Sequence, residues 1–272
     1  MMNPFADLHC HTIYSDGTSR PDEIAQMARE KGFKGLSITD HDTLEAYRHL
    51  GDTEDLEILT GIEFSCNHKG ASIHILGYAF DLEAPPILEL VERHKSRREV
   101  RNLAILSLLE SHGMPLSLEE VIPFSSHVVG RPHIALAMMK KGYVKSVQEA
   151  FHKYIGEKRP CYAGSKSVTV DETIDIIQAS GGKAVIAHPH LIDSQKTLQE
   201  LLEMPFDGIE CYYAQFPPSK NKRWIEIAAK KEWLETGGSD YHGHIKPTLP
   251  YGASYVDETR FRSLLRKAQH SF

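Results

Sequence analysis

Short apolar runs alternate with amphipathic helical patterns from the start of the chain. "PFADLH" gives way to "RPDEIAQMAREKG", "FKGLSIT" follows, and a second helical pattern begins near Thr43. This is the rhythm of βα units, in which strands are paired in one sheet and covered by helices. The first helix carries its own punctuation. Ser19 precedes it as a candidate cap, Pro21, Asp22 and Glu23 fill its first turn, and Gly32 closes it. Further strands are read at "LEILTGIEFS", "SIHILGYAF", "KAVIAH", "FDGIECYY" and "EWLETGG", making seven with the first two. Helices "DETIDIIQASG" and "SKNKRWIEIAAKK" lie between the later ones.

From about Glu89 to Arg159 the rhythm changes to continuous helical spacing with no intervening strand. The segment 93–160 is read as a helical insertion between two parts of one α/β unit, 1–92 and 161–272. An elaborated βα connection describes the same pattern.

At 272 residues, 41% hydrophobic and 25% charged, the chain can bury a sizeable core. A formal net charge of −6 argues against a whole-surface grip on long nucleic acid, while a local basic patch stays open. No apolar run approaches the length of a bilayer span, and "MMNPFADLHCH" enters its first motif with no room for a signal peptide. A cytoplasmic protein without membrane association or an obligate protein partner is expected. Cys10, Cys66, Cys161 and Cys211 are far apart with no C-x-x-C pair, so reduced, buried thiols are expected.

The histidines carry the chemistry. In "DLHCHTIYSDG" a strand would put His9 and His11 on one face, with Asp16 following in a turn. Two converging imidazoles suit a metal ion better than an apolar core, where each would need its own partner. Asp40, His41 and Asp42 in "SITDHD", Glu63 in "TGIEFS", His74 in "SIHILGY", His188 in "IAHPH", and Asp240 and His242 in "GGSDYHG" lie beside strand ends. A barrel of parallel strands would gather those ends on one face. His49, His94, His112, His152 and His270 fall on helical patterns or tails and are read as surface residues.

Taken in order, "DLHCHTIYSDG", "SITDHD", "GIEFS", "HILGY", "AHPH" and "GSDYHG" resemble the polymerase and histidinol phosphatase (PHP) family of metal-dependent phosphoesterases. "GRPHIA" extends the likeness toward the subgroup containing nucleoside 3′,5′-bisphosphate phosphatases. The resemblance implies an α/β fold, a distorted (β/α)7 barrel with the helical insertion, and a trinuclear site. Carried over, it gives one metal His9, His11, Glu63 and Asp240, a second Asp16, His41 and His242, and a third His74, His188 and the bridging Glu63. Asp40 and Asp42 would orient imidazoles from behind. Imidazoles and carboxylates without thiolate accommodate two to three ions of manganese, zinc or iron, and disfavour magnesium alone.

Such a site implies hydrolysis of a phosphomonoester by a metal-bound hydroxide. No G-x-S-x-G, P-loop or G-x-G-x-x-G motif offers a rival chemistry. Arg131 and His133 in "GRPHIA" are candidates to clamp a phosphate, and His133 or a metal-bound water to protonate the leaving group. The run "RHKSRREVR" spreads its charges around a helix, which usually means a solvated surface. Arg97 or Arg101, with Lys166, would instead receive a second phosphate or a short RNA if turned toward the site. A small phosphorylated substrate, a nucleotide above all, is therefore expected. A 5′-to-3′ exoribonuclease, a histidinol-phosphate phosphatase and a noncatalytic metal-binding module are the other readings.

Overall fold

The computed structural model describes residues 2–125, 128–163 and 168–265. Three strands, β1 (Ala6–Asp7), β2 (Gly35–Leu36) and β3 (Glu57–Ile58), pair in parallel in the order β1-β2-β3. Five more form a second sheet in chain order: β4 (Gly61–His68), β5 (Ala71–Tyr78), β6 (Lys183–Ile186), β7 (Gly208–Tyr213) and β8 (Leu234–Gly238). β6, β7 and β8 are parallel, whereas β5 runs antiparallel to both β4 and β6. "LEILTGIEFS" breaks after Ile58 and restarts at Gly61, so seven expected strands become eight. The expectation that every site residue sits at the carboxyl end of a parallel strand fails for Glu63 and His74, which project from within the β4–β5 hairpin.

Backbone hydrogen bonds join the two sheets. On one side Leu8 N–H donates to the Gly237 carbonyl and Asp240 N–H to that of His9. On the other, Asp42 N–H donates to the Glu63 carbonyl and Glu63 N–H to that of Asp40. The first junction needs Gly238, because a methyl group there would collide with the backbone nitrogen and Cβ of His9.

Helix α1 (Pro21–Glu30) is capped one residue later than expected: Arg20 rather than Ser19 takes that position, and its N–H donates to Glu23 at 2.7 Å. Gly32, at φ +73°, closes the helix. The helix expected from Thr43 is only a 3-10 turn, Glu45–His49. Helix α2 (Pro85–Ser111) is continuous over 27 residues and serves two cores. Ile87 and Leu90 pack with Phe64, Ile75 and Ile186 against the second sheet. Ile105 and Leu109 pack with Val121 of α3 (Leu118–Val121), Ile134 and Met138 of α4 (Arg131–Lys140) and Ala150 of α5 (Val147–Ala150). A π-helical turn, Phe151–Ile155, follows α5. Helices α6 (Val170–Ala179), α7 (Gln195–Leu202), α8 (Lys222–Lys231) and α9 (Glu258–Leu265) complete the elements.

All four cysteines are free and buried. His49, His112 and His152 are exposed, and His270 lies outside the described residues. His94 departs from expectation: it is buried on the sheet side of α2, stacked on Phe64. Among the described residues no helix is long and apolar enough to cross a membrane.

Candidate active site

Glu63, buried at the third position of β4, is the hub. Its Oε2 lies 3.3 Å from His9 Nε2, 3.2 Å from His11 Nε2 and 3.3 Å from His41 Nδ1. Its Oε1 lies 2.9 Å from His74 Nδ1 and 2.8 Å from His188 Nε2. Asp240 Oδ1 stands 3.5 Å from His9 Nε2 and 3.3 Å from His11 Nε2. Asp16 Oδ1 stands 3.4 Å from His242 Nε2 and 3.6 Å from His11 Nδ1, and Asp16 Oδ2 lies 3.9 Å from His41 Nε2. All nine expected ligands therefore converge. His11 and His41 each present one nitrogen toward Glu63 and the other toward Asp16. The ligand atoms accordingly group as His9, His11 and Asp240, as His11, Asp16, His41 and His242, and as His41, Glu63 and His74.

The residues fit metal ions. His9 Nε2, His11 Nε2 and His41 Nδ1 are buried without a hydrogen bond, although each is close to Glu63 Oε2. Buried polar atoms left this way are costly, and cations held between these nitrogens and the neighbouring carboxylates would satisfy them. Asp42, His188 and Asp240, at or beside the cluster, adopt φ of +59°, +26° and +52°, a region non-glycine residues seldom occupy.

The electrostatics are tightly coupled. Burial alone would raise the Glu63 carboxyl, but His41, His74 and His9 hold it well below the carboxylate range. Burial would likewise raise Asp16 and Asp240, and neighbouring cations bring both well below it. Burial opposes the charged form of His11, yet Asp240, Glu63 and Asp16 lift its imidazole to about 9. His41, by contrast, is driven well down by burial.

Behind the ligands lie groups that sequence reasoning missed. Glu210, fully buried in β7, accepts from His9 Nδ1 at 2.9 Å and from the His188 N–H at 2.6 Å, fixing two ligands at once. Its signal was a lone acid inside an apolar strand. Asp7 accepts from the N–H groups of His9, Ser239 and Gly252 and from Ser239 Oγ, locking β1 to β8, while burial pushes its carboxyl up to about 6. Tyr213 Oη and Lys246 Nζ both donate to Asp240 Oδ2, at 2.8 and 2.7 Å.

Two expected supports act differently. Asp40 accepts from Thr12 N–H, Thr12 Oγ1 and Ser15 Oγ, so it orders the loop after His11 rather than an imidazole. Asp42 accepts from the Ser65 N–H and from Arg98, and lies 3.2 Å from His94 Nδ1, which is outside the ligand set. It anchors α2 to the site.

A cavity of about 400 Å³ opens over Asp16, His41, His74 and His242. Arg97, Arg98, Arg101, Arg131 and Lys246 line it. Arg98 spends its charge on a carboxylate, pairing with Asp42 at 2.5 Å. Arg131 packs between the rings of Phe151 and Tyr162, each 5.7 Å away. Burial, with the like charges of Arg98 and Arg131, pushes Arg101 down to about 9. Such a wall favours an anion. His133 is buried at the start of α4, its Nδ1 accepting the Gly130 N–H at 2.9 Å, outside the lining of the cavity. It supports the turn that presents Arg131. Lys166 lies outside the described residues.

A buried imidazole–carboxylate cluster beneath an arginine-walled cavity defines a class, a metal-dependent hydrolase of phosphate esters. The chain belongs to the PHP domain family, whose model matches residues 7–210. It is 31% identical to a 5′-3′ exoribonuclease of Haemophilus influenzae over 87% of this chain and 89% of that one. It is 29% identical to a phosphoribosyl 1,2-cyclic phosphate 1,2-diphosphodiesterase of Eggerthella lenta, covering 87% and 94%. With a 3′,5′-nucleoside bisphosphate phosphatase of Chromobacterium violaceum it shares 26% identity, covering 87% and 86%. A crystal structure from Bifidobacterium adolescentis, assigned as a metal-dependent phosphoesterase, superposes with a TM-score of 0.86 at 29% identity, covering 97% of each chain. The chain is accordingly a metal-dependent phosphoesterase of α/β fold.

Proposed function

We propose that the enzyme removes the 3′-phosphoryl group of a nucleotide that also carries a 5′-phosphate, with a nucleoside 3′,5′-bisphosphate as the small substrate. One observation carries the reading: the cavity above the ligand cluster holds more cationic side chains than one phosphate at the metals requires. A second phosphate, held away from the reacting one by Arg101 and Arg131, accounts for the surplus. His9, His11, Asp16, His41, Glu63, His74, His188, Asp240 and His242 would hold two to three ions of manganese, zinc or iron. We read the two hydrogen-bonded sheets as halves of a distorted (β/α)7 barrel that presents these ligands.

Bound divalent ions supply Lewis-acid stabilisation of phosphoryl oxygens and bring the pKa of water toward neutrality. The chain's own residues do the rest. Glu210 orients His9, Lys246 restrains Asp240, and Arg98, fixed by Asp42 and Ser65, gives the cavity a rigid cationic edge.

The exoribonuclease relative favours a second reading, in which the 3′-phosphate bears a short RNA. Phosphate release and product chromatography on the manganese-loaded protein test both, with adenosine 3′,5′-bisphosphate, histidinol phosphate, AMP and a 5′-phosphorylated RNA trinucleotide. The expected result is AMP from the bisphosphate. Preference for histidinol phosphate would overturn the reading, and silence on every substrate would restore a noncatalytic module.

A further inference from the structure

Helix α2 has a third side. It buries His94, Asn102, Ile105, Leu106 and Leu109, and it turns Arg97, Arg98 and Arg101 toward the cavity. Opposite the buried side runs a stripe of six exposed residues, Arg93, Ser96, Val100, Leu103, Ser107 and Glu110. Their spacing alternates three and four, the period that keeps one face of a helix against a second helix. Val100 and Leu103, at the centre, are 67% and 57% exposed, the two most exposed large apolar side chains among the described residues. Single exposed apolar residues are ordinary, whereas two such residues one turn apart on a stripe of this period make a docking patch.

The stripe reads alike from either end. About its midpoint, between Val100 and Leu103, Ser96 is matched by Ser107 and Arg93 by the opposite charge of Glu110. A second copy of α2 laid antiparallel, with a twofold axis at that midpoint, would set Val100 on Leu103, Ser96 on Ser107 and Arg93 on Glu110, each contact occurring twice. A parallel copy would instead set like charge on like charge at both ends. The two serines are small enough to let the helix axes approach. Arg93 Nη1 lies 2.8 Å from Glu172 Oε1, and its guanidinium carries further N–H donors for a second carboxylate.

We propose that the chain self-associates as an antiparallel twofold dimer through this face of α2. The contact spans about 26 Å of helix with two large apolar side chains from each copy, and falls short of the roughly 1,600 Å² of a standard interface. The dimer is therefore reversible, with a dissociation constant on the order of 10 to 100 μM. Each copy keeps its own complete ligand set.

Sedimentation equilibrium on the full chain, from about 5 to 500 μM, tests it. Leu103→Glu is expected to remain a monomer throughout. Arg93→Glu and Glu110→Arg each place like charges opposite one another in both symmetry-related contacts, and each is expected to weaken association about tenfold. Arg93→Glu combined with Glu110→Arg restores the opposite charges, and is expected to return to within about threefold of wild type. All three positions are exposed, and circular dichroism checks that each variant keeps its fold. A wild type still monomeric at about 500 μM would overturn the dimer and leave the stripe to a different protein. Association that survives Leu103→Glu would overturn this face as the contact, and a double variant as weak as the single ones would overturn the antiparallel pairing.

Discussion

Glu210 touches the site through His9 and the backbone of His188. Replacing it with Gln keeps the shape but removes the charge that aligns the His9 ring, so manganese affinity, measured by titration, is expected to fall about tenfold or more. Unchanged affinity would remove Glu210 from the support of the site. Arg131 acts on the substrate side. Arg131→Ala is expected to lower kcat/KM by about 2 kcal/mol or more, with Arg131→Lys recovering only part, because a lysine keeps the charge without the planar fork. An unaltered specificity constant would exclude contact with a phosphate. The convergent imidazole–carboxylate cluster was legible residue by residue, since few side chains suit a metal. Its supports were not: a carboxylate that orients a histidine looks like any other buried polar group until its partner is known.

At the level of elements, α2 joins the sheet to the helical region, and His94 sits at that joint. Burial lowers the His94 pKa from its ordinary value of 6.5; Asp42 opposes this, and Arg97, Arg98 and Arg93 add to it. The unfolded chain therefore takes up a proton that the folded one refuses, so stability contributed near neutrality is lost as pH falls below 6.5. His94→Gln is expected to reduce the drop in urea midpoint between pH 7.5 and pH 5, and an unchanged drop would contradict it. Sequence periodicity placed His94 on the helix but could not say which side docks. The β4–β5 hairpin shows a similar limit. "SIHILGYAF" alternates the same way whichever direction it runs, so the strand was legible and its orientation was not. The signal was Lys69–Gly70, two residues between the strands at φ +50° and +93° with Asn67 Oδ1 accepting the Gly70 N–H.

Over the whole molecule, function comes from bringing two separately cored regions together. The sheets supply the ligands, and α2, α4 and the π-helical turn supply the wall that faces them. Helical spacing scatters the basic residues of 93–101 around α2, and only its docking turns Arg97, Arg98 and Arg101 into the cavity while leaving Lys95 outside. The most direct test strips the protein with a chelator and restores manganese stepwise, following metal content and release of phosphate from adenosine 3′,5′-bisphosphate together, with Glu63→Gln alongside. The account predicts that turnover vanishes on stripping and returns as about two to three ions bind each chain, while Glu63→Gln, folded by circular dichroism, regains neither full occupancy nor activity. Full turnover by the stripped protein, or by Glu63→Gln, would contradict it.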